Sequence, residues 1–180
     1  DSDLEGEGKG LDFLPIPIST PGFDSAPYFT ATGCISRNPE TGVQNMGTYR
    51  AGLKSSTRMA VRMSVRSGGA EGHLHWLEYK KRGEKMPMAI MLGGPPSVCY
   101  CAPQKLQLGV DEIAVAGGLV GNPINMVKAK TVDLLVPAEA EIVVEGYIDP
   151  EYLEPEAPFG ESHGHIAPVS YTHLTLPTKA

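Results

Sequence analysis

The sequence contains 180 residues, 41% of them hydrophobic, which is enough for one globular domain with a sizeable core. Its 15 basic and 21 acidic residues give a formal charge of −6, which argues against binding to nucleic-acid phosphates or to an anionic membrane surface. The longest apolar run, residues 86–92, is far shorter than the ~20 residues of a membrane-spanning helix. We therefore expect a small molecule as the partner.

Glycine and proline are frequent, with 21 and 16 residues, and they divide the chain into short elements. This pattern is typical of an α+β domain built on antiparallel strands. In chain order we predict strand 28–35, strand 57–66, helix 70–82, strand 88–92, helix 111–119, strand 125–136 and strand 141–148. The first helix should bury Leu74, Trp76 and Leu77 and end at Gly83.

The strand predicted over 57–66 has an apolar residue at every second position, so its other face is cationic. That face carries Arg58, Arg62 and Arg66. Guanidinium groups are suited to holding phosphate or carboxylate, although residues two apart on a strand lie ~7 Å from each other, so at most two of the three would share one phosphate. A solvated outer face explains the same pattern equally well.

Two further segments carry chemically useful groups. In the segment over 45–50, a small-residue turn joins Asn45, whose carbonyl oxygen suits a hard cation, to Arg50, although an ordinary loop has the same composition. The segment over 154–161 contains two prolines and a glycine, which stiffen the chain that carries Glu156 and Glu161. Two carboxylates in one pocket would repel and raise the pKa of one, whereas an acidic surface loop is the commoner alternative.

Histidines and cysteines give weaker indications. His73 and His75 do not face each other on a helix and are interpreted as structural. On an extended segment, Glu161, His163 and His165 would share one face and suit a divalent metal, which supports a metal-only, cupin-like enzyme as an alternative function. The three cysteines, at positions 34, 99 and 101, are too few for a disulfide framework and are predicted to be reduced core thiols.

The two ends of the chain differ from its centre. The acidic residues 1–5 lack the basic and apolar regions of a secretory signal, and we predict a cytoplasmic protein. Residues 169–180 (VSYTHLTLPTKA) change character and are predicted to be a non-native tail. Residues 1–168 would then be a central domain that is truncated at both ends.

Five segments in the same order resemble the UbiD family of decarboxylases, from about residue 14 to residue 165. They are NPETGVQNMGTYR (38–50), RMSVRSGG (62–69), DEIAVAGGLVG (111–121), VPAEAEIVVEG (136–146) and EPEAPFGE (154–161). The resemblance implies a split β-barrel related to flavin-reductase domains. It also implies prenylated FMN as the cofactor, with Mn²⁺ or another divalent cation, and K⁺ as an additional ion.

Carried over by position, the resemblance implies that Asn45 and Glu112 bind the divalent metal, which bridges to the cofactor phosphate. The implied cofactor-binding residues are Thr48, Tyr49, Arg50, Arg62, Met63, Ser64, Ser67 and Gly68. The chain departs from the usual family pattern at 62–64 and 67–68, so the resemblance assigns no third protein ligand to the metal.

The family's catalytic trio maps onto Arg50, Glu156 and Glu161. The implied reaction is a reversible, non-oxidative decarboxylation of aromatic or α,β-unsaturated acids through a covalent adduct with prenylated FMN. Arg50 would orient the substrate carboxylate, Glu161 would protonate the carbon, and Glu156 would hold Arg50. A prenyl-FMN synthase as cofactor supplier and a homo-oligomer of the full-length protein are also implied. An inactive cofactor-binding fragment is the further alternative.

Overall fold

A computed structural model describes residues 10–64, 70–156, 158–161, 163–167 and 174–177. The predicted positions Ser67 and Gly68 lie outside these ranges, as do Val65 and Arg66 of the strand predicted over 57–66. Within the described ranges, none of the helices combines the length and the apolar character that a bilayer crossing requires.

The described residues form short strands with three α-helices between them, which confirms the predicted α+β class. The strands are β1 Tyr28–Phe29, β2 Thr32–Arg37, β3 Gln44–Gly47, β4 Ala51–Ser55, β5 Arg58–Val61, β6 Met86–Leu92, β7 Met126–Lys128, β8 Leu135–Pro137, β9 Ile142–Ile148, β10 Phe159–Gly160, β11 Ile166–Ala167 and β12 Leu174–Pro177. The helices are α1 Glu71–Arg82, α2 Pro96–Cys101 and α3 Glu112–Val120, and a short 3-10 turn covers Leu11–Phe13.

Two four-stranded antiparallel sheets organise the fold. The first has the order β3-β2-β6-β9 and the second has the order β1-β4-β5-β12, while β7–β8 and β10–β11 form separate hairpins. Strand β12 lies in the segment 169–180 that the sequence sets apart, and it pairs with β5 from Leu174 opposite Val61 to Pro177 opposite Arg58.

Strand β6 is buried on both faces, which explains why residues 86–92 form an almost continuous apolar run. Because successive side chains of a strand point to opposite faces, Met88 and Ile90 enter one core while Ala89 and Met91 enter another. The first core lies between the two sheets and α1. The second lies between the first sheet and the segment that contains α2, α3 and β8.

Helix α1 ends at Gly83, as predicted, and Gly83 adopts the left-handed conformation with φ 66°. Its buried face contains His75, Trp76 and Tyr79, whereas Leu77 is 37% exposed, so the predicted burial of Leu77 is wrong. Residues 75, 76 and 79 share one helical face, and residue 77 lies to the side of it. The Nδ1 atom of His75 lies 2.9 Å from Ser36 Oγ, and burial lowers the histidine pKa to about 4.

Two predicted strands are each divided in the structure. The strand predicted over 28–35 is β1 followed by β2, because the chain crosses from the second sheet to the first between them. The strand predicted over 125–136 is the hairpin β7–β8. Between its two arms, the backbone N–H groups of Lys130 and Thr131 donate to the carboxylate of Glu145, so this part of the chain does not join a sheet.

The three cysteines are unpaired thiols, as predicted. Cys34 and Cys101 are buried, but Cys99 is exposed on α2, so the prediction of a core position is wrong for Cys99. Burial raises the pKa of Cys34 to about 11, and this thiol is therefore protonated at neutral pH.

A pair of glycine substitutions tests the helix geometry. Gly83→Ala should destabilise the protein by about 1 kcal/mol, because a Cβ is unfavourable in the left-handed conformation. Gly118→Ala should stabilise it by roughly 0.5–1 kcal/mol, because Gly118 lies within α3 with open space around it. Urea unfolding of both variants measures the two changes, and the same sign in both would contradict the assignment.

Candidate active site

The pairing of β4 with β5 brings two arginines together. Arg50 directly precedes β4 and Arg62 directly follows β5, and the two strands pair with Ala51 opposite Val61. The backbone N–H of Arg62 donates to the carbonyl oxygen of Arg50 at 3.0 Å. Two guanidinium groups therefore start from neighbouring points of the second sheet.

Two glutamates from the segment 154–161 bind these arginines. Arg50 donates to Glu156 through Nε and through Nη2, the latter at 2.9 Å from Oε2, and it donates to Glu161 through Nη1. Arg62 Nη1 donates to the same Glu156 Oε2 at 2.9 Å. The side chain of Glu156 is 2% exposed and that of Glu161 is 31% exposed. The structure thus brings the three predicted catalytic residues together, with the guanidinium of Arg50 between the two carboxylates.

The charge of Arg50 is further matched by an aromatic face. Its guanidinium carbon lies 4.4 Å from the ring centroid of Phe159, and the Phe159 ring packs against Tyr28 with centroids 4.7 Å apart. Burial lowers the pKa of Arg50, but hydrogen bonds and charges from Glu156 and Glu161 outweigh this effect and raise it. Burial raises the pKa of Tyr28 to about 12, and the nearby charge of Glu156 adds to the rise. Arg50 is therefore a fixed cation on an apolar support.

A cavity of about 500 Å³ opens beside this cluster. Its lining residues are Thr30, Thr48, Tyr49, Arg50, Arg62, Ser64, Phe159 and Glu161. Glu161 therefore borders the cavity, whereas Glu156 lies behind it against the two arginines. The arrangement can hold an anion at the guanidinium groups and present a carboxyl group to it.

The second predicted pair, Asn45 and Glu112, is also brought together. Asn45 lies on β3, and Glu112 begins α3 directly after the N-cap Asp111, whose side chain accepts from Ile113 N at 2.8 Å. The Asn45 amide nitrogen lies 3.1 Å from both carboxylate oxygens of Glu112, and Met46 N donates to Glu112 Oε2 at 2.9 Å. Burial is the main cause of the raised pKa of Glu112.

The amide oxygen of Asn45 fits a bound cation. A carboxylate accepts hydrogen bonds, so Asn45 must turn its NH₂ group toward Glu112 and its oxygen away from it. That oxygen is buried and has no hydrogen-bond partner among the described residues. Leaving a buried polar atom unpaired costs about 1–3 kcal/mol. If the amide turned over, its oxygen would lie where the nitrogen now lies, 3.1 Å from the Glu112 carboxylate oxygens, and one cation could bind both groups. The donors are oxygen atoms, which suits a hard divalent ion such as Mg²⁺ or Mn²⁺.

Asn45 and Glu112 line a second cavity of about 550 Å³. Thr48, Tyr49 and Ser64 line this cavity and the first one as well, so the two adjoin. Tyr49 is anchored there because the Thr32 hydroxyl accepts from its N–H at 3.2 Å and donates to its carbonyl at 2.6 Å. The Asn45–Glu112 pair and the two arginines therefore face neighbouring parts of one depression.

Two residues that the sequence singled out, Met63 and Arg58, do not line either cavity. The side chain of Met63 is buried in the core between the two sheets. Arg58, on the predicted arginine face, binds Glu154 at 3.1 Å through Nη1. The arginine face of β5 thus meets protein carboxylates along the segment 154–161.

The alternative metal site is not favoured. Glu161 is bonded to Arg50, while His163 and His165 are exposed, with ring centroids 5.2 Å apart. Across the described ranges, no three histidine, cysteine or acidic side chains come together as a metal site.

Three contributions to the site were not predicted from the sequence. Phe159 had a local signal, because it lies between the two glutamates of the segment 154–161. Tyr28 had none, since it reaches Phe159 only through the folding of β1 against β4. The bond between Arg62 and Glu156 joins residues 94 positions apart and likewise has no local signal.

Comparison with known families identifies the fold and the family. Residues 2–176 match the UbiD family model, described as the 3-octaprenyl-4-hydroxybenzoate carboxy-lyase Rift-related domain. The chain belongs to the UbiD family. This confirms the resemblance that the five ordered segments indicate.

Several UbiD-class structures are similar to the chain. HmfF of Pelotomaculum thermopropionicum, solved in complex with FMN, is 33% identical with a TM-score of 0.85, over 92% of this chain and 36% of HmfF. An evolved dimeric form of HmfF, solved with prFMN, has the same identity and TM-score. The vanillic acid decarboxylase of Sedimentibacter hydroxybenzoicus, in its closed form, is 26% identical with a TM-score of 0.84, over 92% of this chain and 35% of the decarboxylase chain.

The chain spans about a third of the length of its relatives. An uncharacterized protein of Aquifex aeolicus is 39% identical over 160 residues, which is 88% of this chain and 32% of that protein. A more distant structure, nitrilotriacetate monooxygenase component B of Bacillus cereus, is 13% identical with a TM-score of 0.55, over 88% of this chain and 71% of that one, and shows the fold alone. The predicted split β-barrel of the flavin-reductase type is confirmed.

Replacing the aromatic support of Arg50 should be costly. Phe159→Ala should destabilise the protein by about 3 kcal/mol or more, because the ring is buried between Tyr28 and the Arg50 guanidinium. Phe23→Ala is the matched control, since Phe23 is 55% exposed and its loss should change stability by less than about 0.5 kcal/mol. Urea unfolding measures both, and equal losses would contradict the buried position of Phe159.

Proposed function

We propose that this protein is the catalytic, prenylated-FMN-binding part of a reversible, non-oxidative decarboxylase of aromatic or α,β-unsaturated carboxylic acids. The family membership supports a carboxy-lyase, and the HmfF complexes with FMN and prFMN support a flavin cofactor. We assign residues 1–168 to the central cofactor-binding domain and keep residues 169–180 as a non-native tail.

The observation that carries the proposal is the position of Arg50 between Glu156 and Glu161 at the wall of a cavity. Three of the five N–H donors of Arg50 are used by the glutamates, which leaves two for an incoming carboxylate. A planar guanidinium orients a carboxylate in a defined direction. Arg50 can therefore fix the substrate with its carboxyl group at one end of the cavity.

The two glutamates have different surroundings and hence different roles. Glu156 is buried and accepts three hydrogen bonds from two arginines, so it positions Arg50 and Arg62. Glu161 contacts one arginine and borders the cavity and the solvent. Loss of CO₂ breaks the bond between the carboxyl carbon and the ring or alkene carbon, which must then receive a proton. Glu161, which borders the solvent, first takes up a proton from it and then passes this proton to the carbon, returning to the carboxylate.

The cofactor site and the cation site are proposed from the same depression. Thr48, Tyr49, Arg50, Arg62 and Ser64 line the cavities and would contact the flavin. Met63, Ser67 and Gly68 are proposed from the family resemblance alone, since the Met63 side chain is buried in the core. Prenylated FMN, when bound, supplies the electron sink for the loss of carbon dioxide.

The unpaired oxygen of Asn45 and the carboxylate of Glu112 would hold a divalent cation, with Mn²⁺ proposed. K⁺ is proposed as an additional ion. A prenyl-FMN synthase as cofactor supplier and a homo-oligomer of the full-length protein belong to the same proposal.

The proton-donor role is tested by Glu161→Gln in the full-length protein. The variant should retain cofactor, because the amide preserves the shape of the side chain, but its turnover should fall about 10²–10⁴-fold because the proton is missing. Absorbance spectra and CO₂ release from a panel of aromatic and unsaturated acids provide the two readouts. Glu154→Gln is the control, since Glu154 pairs with Arg58 away from the cavity lining. Full turnover in Glu161→Gln would remove this residue as the donor.

The cation site is tested by Asn45→Ala in protein co-expressed with a prenyl-FMN synthase and supplied with Mn²⁺. Loss of the amide oxygen and of the bond to Glu112 should lower the occupancy of both metal and flavin. Elemental analysis and mass spectrometry measure the two occupancies. Asn125→Ala, at an exposed asparagine, is the control. Normal loading of Asn45→Ala would refute the role of Asn45.

A further inference from the structure

A second carboxylate faces the cavity of Asn45 and Glu112. Glu71 is the first residue of α1, and it lines the same 550 Å³ cavity. Its side chain is largely buried, with 15% exposure. Three elements that are distant in sequence, β3, α1 and α3, thus present oxygen atoms to one space.

Two contacts hold the Glu71 carboxylate in place. Gly109 N donates to Glu71 Oε1 at 3.1 Å, and His75 Nε2 lies 3.7 Å from the same oxygen. Both contacts involve Oε1, so within the described part of the chain Oε2 is the oxygen that is left for a ligand.

Among the described residues, the charged side chains that line this cavity are two carboxylates, Glu71 and Glu112, and one lysine, Lys105. The salt bridges between described residues include no lysine or arginine bonded to Glu71 or Glu112. Glu71 and Glu112 line the same cavity and are largely buried, so their two negative charges repel each other there. A divalent ion between them would remove this repulsion. It would also satisfy the buried, unpartnered oxygen of Asn45.

The number of ligands that a divalent ion needs also favours a further protein ligand. Mg²⁺ and ions of similar size prefer six oxygen ligands, whereas Asn45 and Glu112 together supply two or three. A further carboxylate that lines the same cavity would add to this set. We propose that Glu71 is a third protein ligand of the divalent cation held by Asn45 and Glu112, an inference that rests on the proposed function.

Ser36 and His75 position this third ligand. Ser36 Oγ lies 2.9 Å from Nδ1 of His75, and the opposite ring nitrogen faces Glu71. Such outer contacts orient a carboxylate toward a metal. The first turn of α1 is therefore held from two sides, by the histidine and by the N–H of Gly109.

Calorimetric titration of the purified protein with Mn²⁺ alone tests the inference without relying on activity. Glu71→Gln should weaken Mn²⁺ binding at least about 10-fold, because the amide keeps an acceptor for Gly109 N–H but loses the charge. Glu71→Asp keeps the charge and should bind more tightly than Glu71→Gln. Glu78→Gln is the control on the same helix, since Glu78 pairs with Lys81 away from the cavity lining. Thermal melts with and without Mn²⁺ provide a second readout of binding for each variant.

Three results decide the matter. Weaker binding in Glu71→Gln with wild-type affinity in Glu78→Gln supports the third ligand. Equal affinity in the wild type, Glu71→Gln and Glu71→Asp, together with lost binding in Asn45→Ala and Glu112→Gln, overturns the role of Glu71 and leaves the proposed cation site intact. Absence of Mn²⁺ binding and of any melting shift in the wild type overturns both.

Discussion

The site depends on the need to match buried charge. Glu156 is almost fully enclosed, and an enclosed carboxylate is tolerated because two guanidinium groups bond to it. Those guanidinium groups start from Arg50 and Arg62, which the pairing of β4 with β5 sets side by side. Removing Glu156 would leave two largely buried guanidinium groups without the carboxylate that they share. The same bonds that hold the segment 154–161 onto the second sheet therefore also fix the geometry of the proposed catalytic trio.

The short stretch 45–50 connects the two halves of the site. Asn45 lines the 550 Å³ cavity, and Arg50 lines the 500 Å³ cavity. Between them Tyr49 is held by the hydroxyl of Thr32, which both accepts from and donates to its backbone. A shift of this stretch would move both groups together, so the distance between the proposed cation site and the Arg50 guanidinium is set by the chain itself. This is the preorganisation that a cofactor bridging the two would need.

The family and the length of the chain indicate which part of the proposed reaction this chain can contribute. The chain belongs to the UbiD family and spans about a third of its relatives. It contains the arginine, the two glutamates and the asparagine–glutamate pair on which the proposed reaction depends.

The sequence by itself determined the elements whose signal is local. Helix α1 with its Gly83 end, the doubly buried strand β6 and the ordered segments that carry the site residues follow from periodicity, turn chemistry and motif order. Tertiary structure decided what joins distant residues: the bond of Arg62 to Glu156, the packing of Tyr28 on Phe159 and the shared cavity of Glu71 and Glu112. The division of 125–136 into a hairpin also came from a distant partner, since Glu145 takes its backbone donors. Local propensity contains no term for such contacts, because their free energy arises only when the sheets have paired and the charges are already buried.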